Sequence, residues 1–291
     1  MTELDFGAFL GRRGGAYWRL ARMQAPIGIW LLMWPGYWAV ALAGPPLTEA
    51  VRLLALFLIG AAAMRAAGCV YNDIVDRDFD RRVARTRQRP LASGEIGLVP
   101  AILFMIALSL TGLVVLLQLD RLAIVIGLVS LLPIAIYPFM KRVTWWPQAW
   151  LGITFNWGAL VGWAAATGEL AAPAIALYLA GIFWTLGYDT IYAHQDKEDD
   201  ALIGVKSSAL ALGDRTRPWL YAFYALTALL LLLAAALAGK SWPSYPLLAL
   251  AAGQLAWQAS RVEFDDPASC LKWFKSNHAF AALVFLGFAA G

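Results

Sequence analysis

The chain has 291 residues, 61% hydrophobic and 14% charged, with a formal net charge of +4 and a mean hydropathy of +0.64. Average soluble domains carry about 25% charged residues, so the composition excludes an ordinary water-soluble fold and indicates an all-α integral membrane protein. The small positive balance reads as membrane topology and not as nucleic-acid affinity, and two cysteines, Cys69 and Cys270, argue against a disulfide framework.

Residues 1–25 carry charges without an apolar run, so the first span is expected to act as its own insertion signal. Nine apolar stretches follow, at 26–43, 51–71, 98–118, 121–140, 146–167, 172–192, 218–238, 243–260 and 274–290. Each is long enough to cross about 30 Å of hydrocarbon as a helix. The expectation is one domain over 1–291, with nine transmembrane helices bundled around a central cavity. Its two longest polar segments, 72–97 and 193–217, are read as loops. Gly158 and Gly162, and the stretch from Gly60 to Gly68, predict close helix contacts. Trp34, Trp38, Trp145, Trp146 and Trp242 near span ends predict interfacial anchors.

With the N-terminus cytoplasmic, nineteen of the twenty-three Lys and Arg fall on the inner side. Arg52, Arg121 and Lys240 fall outside, and Arg65 lies within a span. This asymmetry predicts the orientation and places both polar segments on the cytoplasmic side.

Aspartates gather where those segments start: Asn72, Asp73, Asp76 and Asp80 at one, and Asp189, at the end of the apolar stretch before it, with Asp196 and Asp200 at the other. Carboxylates at the ends of apolar stretches are costly and repel one another, so they mark a functional site. A hard divalent cation removes both penalties, and Mg2+ in particular leaves positions for water and phosphate oxygens. Two such groups suggest a diphosphate substrate. Asp73 and Asp80, like Asp189 and Asp196, are seven apart, two helical turns on one face. The common offset suggests an internal four-helix repeat.

Arg65, Cys69, Asn72, Asp73, Asp76 and Asp80 follow helical steps along one stripe. Arg65 lies about 12 Å deeper than Asp73 at 1.5 Å per residue. It is read either as a counter-ion for the aspartates or as a site for a substrate carboxylate. Arg81, Arg82, Arg85, Arg87 and Arg89 crowd nine residues, a density that suggests a diphosphate clamp. Lys197 and Lys206 are candidates for similar work. His194 between Asp189 and Asp196 invites a base or zinc reading against that of an ordinary polar loop residue, and two dispersed histidines are too few for zinc. Tyr188 and Tyr192 either pack or face a cation.

The strings RAAGCVYNDIVDRDFDRRVARTRQRPLASG, YPFMKR followed by PQ, and GYDTIYAHQDKEDDALIGVKSSAL resemble the UbiA superfamily of intramembrane prenyltransferases, within it the 4-hydroxybenzoate polyprenyltransferases of ubiquinone biosynthesis. The resemblance implies Mg2+ held on a polyprenyl diphosphate by Asn72, Asp73, Asp76, Asp80, Asp189, Asp196 and Asp200. It implies loop arginines such as Arg85 and Arg89 on the leaving diphosphate, and attack by the ring carbon ortho to the hydroxyl. A carboxylate takes the ring proton, Asp189 foremost, with Asp73 and Asp76 the other catalytic candidates. Arg65, Arg142 and Arg22 are candidates for the carboxylate of the acid. Partners are then the two substrates and the bilayer, in a bacterial inner membrane, with no protein partner implied. The competing readings are the same fold with another acceptor (dihydroxynaphthoate, homogentisate, haem or chlorophyllide) and, from another class, a cation transporter. Against transport stand the one-sided acids and the arginine-dense loop, which would repel a cation.

Overall fold

The computed structural model describes residues 11–82 and 86–291, apart from the side chains at 12, 13, 199, 200 and 203. Among the described residues every regular element is helical. Five segments are long and apolar enough to cross a membrane: Leu47–Val75, Leu98–Leu116, Arg121–Val143, Ala172–Asp196 and Ser208–Leu237. Ile27–Ala43 is a shorter apolar helix. Helices also occur at the remaining predicted positions, but they do not establish the expected nine spans. The 146–167 stretch is two helices, Pro147–Phe155 and Trp157–Thr167, broken at Asn156. Ser244–Arg261 and Pro267–Ala289 are helical but carry too much polarity to count on hydropathy alone. The protein is a multi-pass membrane protein.

The predicted loops are largely short helices. Residues 77–80 form one turn, and 193–217 contains the His194–Asp196 turn and the helices Lys197–Ile203 and Ser208–Leu212. Short capped helices satisfy backbone groups that an irregular loop beside hydrocarbon would leave bare. Ser207 does this by accepting from the Leu210 N–H.

The described residues up to Trp30, with Leu58–Gln118, form one compact unit. Its core joins Ala16 and Leu20 of the Gly11–Leu20 helix to Val70, Leu91, Ile96 and Ala101. Gly112 and Gly60 let the Leu98–Leu116 and Leu47–Val75 helices close together: a Cβ at Gly112 would strike Met64, and one at Gly60 would meet Val115. Gly68, expected to serve the same purpose, faces open space.

The second unit is Leu31–Phe57 with Leu119–Gly291. Its central helix, Ala172–Ala193, buries most of its length, packing chiefly on Thr216–Leu237. The Gly158 and Gly162 expectation holds. A Cβ at Gly162 would lie 2.8 Å from the Gly36 carbonyl oxygen, and one at Gly158 3.2 Å from the Gly36 nitrogen. Trp34 and Trp38 are buried and not interfacial: Trp38 donates to the Ala281 carbonyl at 2.8 Å and lies 4.8 Å from the Trp184 ring. Trp145 and Trp242 are exposed, as anchors require. Cys270, outside the nine apolar stretches, is fully buried in the Pro267–Ala289 helix. Lys240, in the turn after Thr216–Leu237, donates to the Ala41 carbonyl at 2.9 Å, and burial lowers its pKa.

Because backbone, and not a side chain that could rotate away, faces Gly162, Gly162→Val is expected to destabilise the protein by at least the ~1–3 kcal/mol typical of overpacking. Gly253→Ala, in open space on a helix, should be neutral or slightly stabilising. Thermal unfolding in detergent checks the pair, and equal midpoints would reject the close contact.

Candidate active site

Asn72 and Asp73 lie in the last turn of the Leu47–Val75 helix. At Asp76 the backbone leaves helical geometry (φ −94°, ψ 2°), and Asp80 closes the Arg77–Asp80 turn. The Asp76 N–H still donates to the Asn72 carbonyl at 2.9 Å, and the Asp80 N–H to the Asp76 carbonyl at 2.8 Å. The helical rise therefore carries through the break, and Asp73 and Asp80 end on one side. The proof is Arg89, whose Nη1 donates to Asp73 Oδ1 at 3.2 Å and to Asp80 Oδ2 at 2.8 Å.

Asp73, Asp76 and Asp80 are only 2%, 5% and 4% exposed. Carboxylates so far from water need cations, since desolvation of an unpaired charge costs several kcal/mol. Arg22 supplies a second one: its Nη2 reaches both oxygens of Asp73, at 2.8 and 3.1 Å. Arg22 sits just beyond the Gly11–Leu20 helix with φ +57°, a left-handed conformation that costs a non-glycine residue about 1–2 kcal/mol. An ion pair to a buried carboxylate is a sufficient counterweight. Arg22, a candidate for binding substrate carboxylate, is thus engaged with Asp73.

Residues 89–96 fold so as to aim Arg89. Leu91 enters the core beside Leu20 and Val70. The Ser93 N–H donates to the Arg89 carbonyl at 2.8 Å, and the Ile96 N–H to that of Pro90 at 3.0 Å. Gly94 takes φ +82°, which explains a glycine in this turn. The Thr86 hydroxyl ties the segment to the Asp80 carbonyl. The other clustered arginines go elsewhere. Arg81 donates to the Ala92 carbonyl, Arg82 and Arg87 are exposed, and Arg85 lies outside the described residues. Deeper on the stripe, Arg65 donates to Cys69, and a Cβ on Gly28 would collide with its guanidinium.

In the second unit Asp189 occupies the last turn of Ala172–Ala193, partly exposed. Tyr188 is buried, its ring 4.9 Å from Trp184 and 5.7 Å from Phe274, and Tyr192 stands 4.6 Å from the same Phe274. Asp196 ends the turn that follows, Lys197 opens the next helix, and the Asp200 side chain lies outside those described. Lys206 donates to the Val143 carbonyl at 3.2 Å, and its N–H to that of Lys141 at 3.1 Å. It caps the C-terminus of Leu131–Val143, where a cation is favourable, so a clamp role would compete with that contact. Arg142, in that last turn, is exposed.

His194 is not a polar loop residue. It is 5% exposed, lies 4.7 Å from the Phe264 ring, and its Nε2 is 3.1 Å from Thr216 Oγ1. The Thr216 hydroxyl donates its one proton to the Gly213 carbonyl at 2.7 Å. Nε2 must then be the donor to Thr216, which assigns the tautomer.

Whether these residues fit a divalent ion is decided by donor chemistry. Asn72, Asp73, Asp76 and Asp80 offer only oxygen, as Mg2+ requires. Two of the carboxylates already gather on a shared cation, the Arg89 guanidinium. Among the described residues no three His, Cys, Asp or Glu side chains are gathered as a ready ligand set. Arginine occupies oxygens that a metal would need.

Residues 32–285 match the UbiA prenyltransferase family, and the chain belongs to that family. It is 48% identical over 278 residues to a mitochondrial 4-hydroxybenzoate polyprenyltransferase of Arabidopsis thaliana, covering 94% of this chain and 68% of that protein. It is 44% identical over 285 residues to 4-hydroxybenzoate geranyltransferase 2 of Lithospermum erythrorhizon, covering 97% and 92%. Among solved structures, a UbiA homologue from Aeropyrum pernix K1 superposes with a TM-score of 0.74 at 24% identity, covering 90% of this chain and 97% of that one. A UbiA homologue from Archaeoglobus fulgidus, bound to GPP and Mg2+, gives 0.66 at 22%, covering 94% and 99%. At that identity the likeness establishes the fold.

Removing one partner of a buried ion pair costs about 3–5 kcal/mol. Arg89 is 29% exposed and Arg22 stays on Asp73, so Arg89→Leu should cost at or below the low end of that range. Arg87→Leu, on the surface, should stay within about 0.5 kcal/mol. Equal denaturation midpoints for the two variants would sink the bridging role of Arg89.

Proposed function

We propose that the protein transfers a polyprenyl group from a polyprenyl diphosphate to 4-hydroxybenzoate, forming a bond at the ring carbon ortho to the hydroxyl, in ubiquinone biosynthesis. The observation that carries this reading is 44–48% identity, over nearly the whole chain, to proteins named for prenyl transfer to that acid. The match from 32 to 285 supports treating 1–291 as one prenyltransferase domain.

In this reading Asn72, Asp73, Asp76, Asp80, Asp189, Asp196 and Asp200 hold Mg2+ on the diphosphate. Bound there, the ion would neutralise the diphosphate and ease its departure. Arg89, with Arg85, Lys197 and Lys206, donates to phosphate oxygens. Tyr188 and Tyr192, ranged beside Phe274, offer ring faces to the allylic cation. Arg65 takes the acid's carboxylate, a choice supported by the engagement of Arg22 with Asp73 and the exposure of Arg142. Asp189 accepts the proton released by the ring, with Asp73 and Asp76 the other carboxylates close to the reaction. We place the protein in a bacterial inner membrane; the distribution of Lys and Arg supports only the orientation, with the N-terminus and both aspartate groups cytoplasmic.

Purified protein with Mg2+, geranyl diphosphate and a panel of aromatic acids should prenylate 4-hydroxybenzoate. Asp73→Asn and Asp189→Asn should each lower turnover at least about 100-fold, the scale of losing an electrostatic stabiliser, while remaining folded in membranes. Near-normal turnover of either at saturating Mg2+ would reject its assignment.

Orientation is tested by single cysteines. Native Cys69 and Cys270 are buried and should stay unlabelled. A cysteine at the exposed positions Ser93 and Ala201 should react with an impermeant reagent only from the cytoplasmic side, and one at Ser241 only from outside. Ser207 is unsuitable, being 2% exposed. Labelling of Ser93 and Ala201 variants from opposite sides would overturn the shared cytoplasmic face.

A further inference from the structure

Asp189 is followed by a buried polar contact that the chemistry above does not use. Thr190, fully buried, places Oγ1 2.7 Å from the hydroxyl of Ser208, also fully buried. The Ser208 N–H donates to Gln148 Oε1 at 3.0 Å, and Gln148 is 6% exposed. Three segments meet at Ser208, through its side chain and its backbone N–H: the end of Ala172–Ala193, the start of Ser208–Leu212, and the first turn of Pro147–Phe155. Four residues on, His194 and Thr216 form a second anchor on the same helix end. Asp189 precedes the first anchor and Asp196 follows the second.

Magnitudes argue against stability as the purpose. Interhelical hydrogen bonds in membrane proteins average about 0.6 kcal/mol, which valine or alanine packing would match. Geometry is another matter, because a ligand or base must be held within about 0.5 Å and 10–20° of its working position. A helix end free to rotate about its axis would swing Asp189 beyond that.

We propose that Thr190, Ser208 and Gln148 are positioning residues that fix the rotation of the Ala172–Ala193 helix end, and with it the direction of the Asp189 carboxylate. The assignment rests on the function proposed for Asp189. It predicts that removing the Thr190 hydroxyl changes metal use without changing the fold.

The test compares Thr190→Val, of the same shape without the hydroxyl, with Thr190→Ser, which keeps it. Two readouts are used: the thermal midpoint of the purified protein as Mg2+ is titrated with a non-hydrolysable geranyl thiodiphosphate, and kcat and KM for transfer to 4-hydroxybenzoate. Thr190→Val should keep the wild-type midpoint without ligand, need at least about tenfold more Mg2+ for half of the ligand-induced shift, and lose kcat at saturating substrate. Thr190→Ser should restore both. A wild-type Mg2+ titration for Thr190→Val, or a lower ligand-free midpoint with unchanged Mg2+ dependence, would overturn the proposal. Should Thr190→Val fail to accumulate, Gln148→Met, which removes the acceptor for Ser208, is held to the same outcomes. Wild-type protein that shows the Mg2+ shift but no transfer would fault the function proposed above and leave the titration to decide the positioning role.

Discussion

The buried carboxylates of the 72–80 stretch are the constraint from which the surrounding structure follows. An apolar helix that carries Asp73 in its last turn and runs on into Asp76 and Asp80, each at most 5% exposed, is unstable unless cations come to it. Two arginines come from opposite directions in the chain. Arg22 arrives through a left-handed backbone at the end of Gly11–Leu20, and Arg89 arrives on a turn held by Leu91 in the core and by Gly94. The packing of this unit therefore serves the charges as much as the apolar surface does: Ala16, Leu20, Val70 and Leu91 form the core that brings both guanidiniums to Asp73.

The same carboxylates make the site adaptable. An arginine bridging Asp73 and Asp80 satisfies them without metal, and a guanidinium is a good partner for phosphate oxygens as well. In the proposed function the carboxylates would hold the divalent ion, and the arginines that brace them here would donate to the phosphate oxygens.

Much of this was legible in the amino-acid sequence because its signals are local. Helical spacing put Asp73 and Asp80 on one face, and the glycines at 158 and 162 announced a close contact. What was not legible depends on distant partners. Nothing local says that Arg22 belongs to Asp73, fifty-one residues away, or that Gln148 belongs to Ser208, sixty away. The strings containing Gln148, Thr190 and Ser208 stood out by resemblance, yet a lone Gln, Thr or Ser carries no chemical signature until its partner is known. Trp34 and Trp38 misled for a related reason: a tryptophan near a span end fits an interface, and only a third element, such as the Ala281 carbonyl accepting from Trp38, turns it into a core residue. Hydropathy also cannot see a break such as that at Asn156, whose buried side chain donates to the Gly152 carbonyl and to Thr185 of the Ala172–Ala193 helix.

The two aspartate groups differ in how they are held, and the difference bears on their division of labour. Asp73 and Asp80 are buried and braced by charge, and in the proposed function they would act through total charge more than through direction. Asp189 is partly exposed on a helix end, and the helix end that carries it holds directional contacts, Thr190 with Ser208 and His194 with Thr216, beside the rings of Tyr188, Phe274 and Tyr192. Neutral hydrogen bonds set angles without adding net charge. A carboxylate in that setting is suited to meeting one proton at one position.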